Sequence, residues 1–189
     1  MTCIAVATDR RKIVVIGGDS AGVGDLSLTV REDRKVFSKK DESGTEWLFG
    51  FSTSFRMGEL IQYELELPKI TQEAKEDLYG FMITRFIPKL RGCLKKGGWA
   101  QKEKEQESGG TFIVSLLGRI FVVRSDYQIG EPADSFYAVG CGADLAKGSL
   151  YTSQGSKPLK KRVQLALEAA QRFSSGVREP FIILESGTS

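Results

Sequence analysis

Residues 2–20 read Thr2-Cys3-Ile4-Ala5-Val6-Ala7-Thr8-Asp9-Arg10-Arg11-Lys12-Ile13-Val14-Val15-Ile16-Gly17-Gly18-Asp19-Ser20. Two β-branched runs, 3–8 and 12–18, flank the charged Asp9-Arg10-Arg11, which predicts two strands closed into a tight hairpin. A loop over 19–25 and a strand near 26–30 follow. Val36-Phe37 and Trp47-Leu48-Phe49-Gly50-Phe51 then bracket a charged turn as two more strands. Here the period changes. Met57, Leu60, Ile61 and Leu65 recur at helical spacing, with Ser54 as N-cap and Pro68 as stop. A second helix, starting near Thr71, sets Leu78, Phe81, Met82, Phe86, Leu90 and Cys93 on one face, with a kink at Pro88 and an end at Gly97-Gly98.

The polar stretch 99–110 reads as a mobile loop. Strands return at 111–117, 119–124 and 136–139, and a short helix follows Gly140-Cys141-Gly142. A longer helix, capped by Ser156 with Pro158 in its first turn, buries Leu159, Val163, Ala166, Leu167 and Ala170. Phe181-Ile182-Ile183-Leu184 closes as a strand. Strands, two helices, strands, two helices and a strand do not make the alternation of a parallel sheet. They predict an α+β chain, a four-layer αββα sandwich of two packed antiparallel sheets flanked by helices, in one domain over 1–189.

The 189 residues contain no histidine. That excludes Ser-His-Asp triads, Cys-His dyads and HExxH zinc sites, and no metal or other cofactor is predicted. Apolar residues make up 41% and charged residues 27%, a globular balance with no run long enough to span a membrane. Three cysteines without a CxxC predict free thiols and a cytoplasmic location, and a net charge of +3 gives no case for nucleic acid. Gly18-Asp19-Ser20-Ala21-Gly22 matches the nucleophile elbow in letters alone, because turn and strand follow where a helix is required.

The chemistry must then be carried without imidazole. With the methionine removed, Thr2 would expose an α-amine beside its own hydroxyl. Such an amine titrates near roughly 7.7–8.0 and serves as a general base for a hydroxyl nucleophile. Thr2, Asp19 and Lys35 form the candidate constellation. Thr2-Cys3-Ile4-Ala5-Val6, Ile16-Gly17-Gly18-Asp19-Ser20 and Arg34-Lys35-Val36, with sixteen positions from Asp19 to Lys35, resemble the proteasome β-subunit and HslV type of N-terminal nucleophile (Ntn) hydrolases. Gly50-Phe51-Ser52-Thr53-Ser54, Gly110-Thr111-Phe112-Ile113-Val114 and Ala138-Val139-Gly140-Cys141-Gly142 extend the resemblance over nearly the whole chain.

The resemblance implies an Ntn-hydrolase sandwich and a threonine-type peptidase. Thr2 would be the nucleophile, Lys35 the cation that favours its alkoxide, and Asp19 the partner of Lys35. Backbone N–H groups near Thr53 and Ser54 would accept the oxyanion, and Cys141 and Ser175 would assist. It also implies peptide or unfolded-protein substrates, self-association into a ring, and an ATP-dependent unfoldase as partner, without nucleic acid or membrane. The chain departs from the pattern where Ser52-Thr53-Ser54 replaces a glycine-bearing turn, where Cys141 replaces a serine, and where Arg172 replaces an aspartate. Two alternatives stay open: a non-catalytic ring-forming subunit, and an amidase of the same fold acting on a small-molecule amide.

Overall fold

The computed structural model describes residues 1–187. In chain order the strands are β1 Cys3–Thr8, β2 Val14–Gly18, β3 Ala21–Gly24, β4 Ser27–Val30, β5 Val36–Lys40 and β6 Glu46–Phe51. After the first helices come β7 Gln101–Glu103, β8 Gln106–Ser108, β9 Phe112–Leu116, β10 Arg119–Val123, β11 Ile129–Gly130, β12 Phe136–Gly140 and, near the end, β13 Ile182–Glu185. The helices are α1 Phe55–Glu59, α2 Gln72–Glu76, α3 Leu78–Phe81, α4 Ile87–Lys96, α5 Ala143–Thr152 and α6 Leu159–Phe173. One antiparallel sheet runs β12-β1-β2-β13 and the other β11-β10-β9-β6-β5.

Strand periodicity builds the layers. In β1, Cys3, Ala5 and Ala7 face α5 and α6, while Ile4 and Val6 face the opposite sheet. The small residues on the outer face let α6 lie close, and a Cβ at Gly17 would meet Val163 Cγ1 at 2.7 Å. In β6 and β9 the aromatic positions Trp47, Phe49, Phe51 and Phe112 turn outward to α1–α4, and Leu48 and Ile113 turn inward. Helices, sheet, sheet and helices thus stack as four layers.

Several elements differ from the sequence-based expectation. The 19–25 loop contains β3, which pairs with β4 as a separate hairpin of exposed Ser27, Leu28, Thr29 and Val30. The polar 99–110 stretch forms the β7–β8 hairpin, because alternating charged side chains suit a solvated two-stranded ribbon as well as a loop. The helix expected from Thr71 to Gly97 is broken. Asp77 ends α2 and its carboxylate accepts from Gly80 N–H at 2.9 Å, starting α3 afresh.

A π-helical turn, Met82–Phe86, continues without a break into α4, with Ile87 N–H donating to the Met82 carbonyl. The widened turn thus lies just ahead of Pro88, a residue with no N–H to give. Another π turn, Leu60–Glu64, ends the first helical segment before Pro68 is reached. Ser54 caps α1 and Thr71 caps α2 as read, but α6 is entered from Pro158, and the Ser156 hydroxyl donates to the Ser153 carbonyl. No helix among the described residues is long and apolar enough to cross a membrane.

Candidate active site

β1 starts one residue after Thr2, and its register with β12 sets Cys3 opposite Gly140. The turn 140–142 is thereby laid against Thr2. The Thr2 peptide N–H donates to Cys141 Sγ at 3.3 Å, and the Thr2 carbonyl accepts from Gly142 N–H at 3.4 Å. The approach leaves no room for a side chain at Gly140, which sits at φ +99°; a Cβ there would stand 2.1 Å from the Thr2 carbonyl oxygen. Thr2 is buried, and its hydroxyl donates to the Met1 carbonyl.

Antiparallel pairing of β1 with β2 returns the chain to the same end, so Asp19 emerges beside Cys3. Its carboxylate is fully enclosed and meets four donors. Oδ1 accepts from Cys3 N–H at 2.9 Å and from Lys35 Nζ at 2.9 Å. Oδ2 accepts from Ala21 N–H at 2.9 Å and from Arg178 N–H at 3.3 Å. One oxygen therefore ties the peptide that follows Thr2 to the Lys35 ammonium. Lys35 lies just ahead of β5, and its side chain is 1% exposed. Burial pushes the Lys35 ammonium below the usual lysine range, and the Asp19 charge and hydrogen bond pull it back up.

The Phe55 ring lies 5.6 Å from Lys35 Nζ and carries the Arg31 guanidinium 3.8 Å from its centroid. Phe55 stands one residue beyond Ser54, and neither it nor Arg31 has a signal in the sequence that marks it as part of the site. Of the other expected site residues, Ser54 spends its hydroxyl on Arg56 N–H at 3.1 Å, and Thr53 Oγ1 accepts from Thr111 N–H at 2.7 Å. Cys141 Sγ contacts Thr2 as described and lies 3.3 Å from Ser174 Oγ. The hydroxyl that meets Cys141 is thus one position ahead of the expected Ser175. The return of 174–178 toward β1 is a long-range feature that local pattern does not specify.

Two thiols flank Thr2 in opposite environments. Burial, with the Asp19 charge adding to it, pushes Cys3 up to about 12, whereas Cys141 is exposed. Iodoacetamide at mildly alkaline pH should label Cys141 first, the half-buried Cys93 slowly and Cys3 not at all in the native protein, as read by peptide mass mapping. Early labelling of Cys3 would contradict its placement.

The four-layer fold recurs in solved structures. BPH of Thiobacillus denitrificans in complex with epoxomicin superposes with a TM-score of 0.73 at 16% identity, covering 96% of this chain and 97% of BPH. The fold is that of the proteasome-β-like Ntn hydrolases. Eukaryotic HslV from Trypanosoma brucei matches with a TM-score of 0.67 at 16% identity, over 96% of this chain and 98% of HslV. Anbu, an ancestral β-subunit, from Yersinia bercovieri matches with a TM-score of 0.66 at 12% identity, over 96% of this chain and 80% of Anbu. No protein-family model and no curated protein matches the chain. At these identities the likeness establishes the Ntn-hydrolase fold, and the roles of individual residues rest on their geometry.

Proposed function

We propose that this protein is a threonine-type Ntn hydrolase that cleaves peptide bonds through an acyl-enzyme on Thr2, working as a subunit of a self-associated ring. The observation that carries the reading is the Asp19 oxygen shared between the Cys3 N–H and the Lys35 ammonium. It holds a buried cation against the first residue of β1, the residue that follows Thr2. The peptide bond ahead of Thr2 occupies the nitrogen that the chemistry needs, so removal of Met1 is the activating step.

In the activated chain, Thr2 Oγ attacks the substrate carbonyl and its proton passes to the Thr2 α-amine. Lys35 lowers the cost of the developing alkoxide, and backbone N–H groups at Thr53 and Ser54 take the oxyanion. The ammonium then returns its proton to the leaving nitrogen, the C–N bond breaks, and water resolves the ester. The chamber substrate is an unfolded segment, delivered by an ATP-driven unfoldase. Epoxomicin held by the BPH of similar fold supports a peptide-shaped site.

The test is intact and N-terminal peptide mass after incubation with epoxomicin, whose epoxyketone condenses with a threonine hydroxyl and a free amine together. A chain beginning at Thr2 should gain one inhibitor mass on that residue, and Thr2→Ala should gain none. A chain that stays unmodified after aminopeptidase removal of Met1 would overturn the hydrolase reading and leave a ring-forming scaffold.

A further inference from the structure

Behind Thr2 lies a surface pocket of about 430 Å³, lined by Gln171, Arg172, Phe173, Ser174, Ser175 and Arg178. It is joined to the candidate active site at two points. Ser174 Oγ lies 3.3 Å from Cys141 Sγ, and that sulfur accepts from Thr2 N–H at 3.3 Å. Arg178 N–H donates to Asp19 Oδ2 at 3.3 Å, and the Arg178 carbonyl accepts from Ser20 N–H at 2.8 Å. The walls are held as well, since Glu179 N–H donates to Gln171 Oε1 at 2.6 Å.

The charge of this pocket has no counterpart within it. Arg11, Arg31, Arg56, Arg91 and Arg119 each meet a carboxylate within 4.0 Å, whereas among the described residues neither Arg172 nor Arg178 does. The pocket thus presents two guanidinium forks, two hydroxyl-bearing residues and the exposed Phe173 ring, 5.9 Å from the Arg172 guanidinium. Planar forks of this kind match a carboxylate, which accepts from them in pairs.

The direction of the chemistry says which part of a substrate reaches it. An amine that takes the hydroxyl proton must return it to the leaving nitrogen, so the leaving residue departs on the amine side of Thr2. The pocket reaches that side through Ser174, whose hydroxyl meets the Cys141 sulfur that is hydrogen-bonded to the Thr2 nitrogen. We propose that it is a carboxylate subsite, and that the preferred substrates are peptides or amides whose leaving residue carries a carboxylate, as an acidic side chain or as a free C-terminus. This rests on the hydrolase reading above and names its substrate class.

The test uses four peptides with one acyl part. Their leaving residues are alanine with a free carboxylate, alanine carboxamide, aspartate carboxamide and asparagine carboxamide. Cleavage of the activated chain's substrates is followed by mass spectrometry. At least one carboxylate member should be cleaved about tenfold faster than its neutral match, with the responding pair naming the source of the carboxylate. The double variant Arg172→Ala, Arg178→Ala should bring that ratio toward one while the thermal melt stays in place.

Equal rates within both pairs, or a ratio that survives the double variant, would overturn the subsite. A second arm is independent of turnover. Succinate titrated into Thr2→Ala should shift the backbone amide signals of Ser174, Ser175 and Arg178, and succinamide should not. Succinate shifts with no peptide cleaved would leave the subsite standing and remove the hydrolase. Cleavage without succinate shifts would do the reverse.

Discussion

Lys35→Ala should lower the rate of Thr2 acylation by roughly 10²–10³-fold, the scale for removing one preorganised electrostatic contact from a water-excluded site. The side chain is 1% exposed and its ammonium sits 2.9 Å from Asp19, so no water can take over the charge at that depth. Lys35→Arg should not rescue, because a planar guanidinium does not fit a slot closed by Asp19 on one side and the Phe55 ring at 5.6 Å on the other. Epoxomicin capture followed by intact mass reads the effect directly. Undiminished capture by Lys35→Ala would remove the lysine from the mechanism.

The pH profile carries the same assignment. Acylation should rise as the freed Thr2 amine loses its proton, near roughly 7.7–8.0. It should fall again as Lys35 loses its own, and burial sets that alkaline limb below the ordinary lysine value of 10.5. In Lys35→Ala the alkaline limb should disappear while the acidic limb stays.

Asp19→Ala should cost about 3–5 kcal/mol of folding stability, the range for leaving a buried charge without its partner. The substitution strands the Lys35 ammonium and also removes the acceptor from three backbone donors, Cys3, Ala21 and Arg178. Asp19→Asn keeps one carbonyl acceptor and should cost less. Urea unfolding followed by tryptophan fluorescence reads both, since Trp47 is fully buried.

The deficit should also depend on pH. A lysine whose folded-state value lies below 10.5 binds fewer protons folded than unfolded, so its contribution to stability improves as pH rises through that window. Without Asp19 to pull it back up, Lys35 sits lower still in the folded variant. The variant therefore gains more stability than the wild type as pH rises, and the Asp19→Ala deficit should shrink toward alkaline pH. A second substitution, Lys35→Met, should recover much of it. A cost under about 1 kcal/mol for Asp19→Ala would mean that the pair is hydrated and not the dry contact described.

Much of this was legible in residue order. The β1–β2 hairpin follows from two β-branched runs around Asp9, whose carboxylate accepts from Arg11 N–H at 2.9 Å and Ile13 N–H at 3.1 Å. The element order led to the layers, and spacing together with resemblance nominated Thr2, Asp19 and Lys35. What misled was local ambiguity. The charged residues of 101–108 suit a ribbon or a loop alike, and Asp77 competes with the helix backbone for its own hydrogen bond. Pro88 does sit inside a backbone that stays helical from Leu78 to Lys96, and only the structure shows the π turn at Met82–Phe86 just ahead of it.

By itself, then, the sequence determined periodicity: which runs are strands, which faces are apolar, and that any hydrolytic chemistry must proceed without histidine. Those properties are local, because they depend on side-chain alternation and residue type within a few positions. Tertiary structure alone decided which serine meets Cys141, that the Phe55 ring lies near Lys35 and carries Arg31, and that Arg178 joins Asp19 to an unpaired cationic pocket. Those contacts span up to 159 positions of chain. They depend on how two sheets and their helices pack in three dimensions, information that no short window of residues carries.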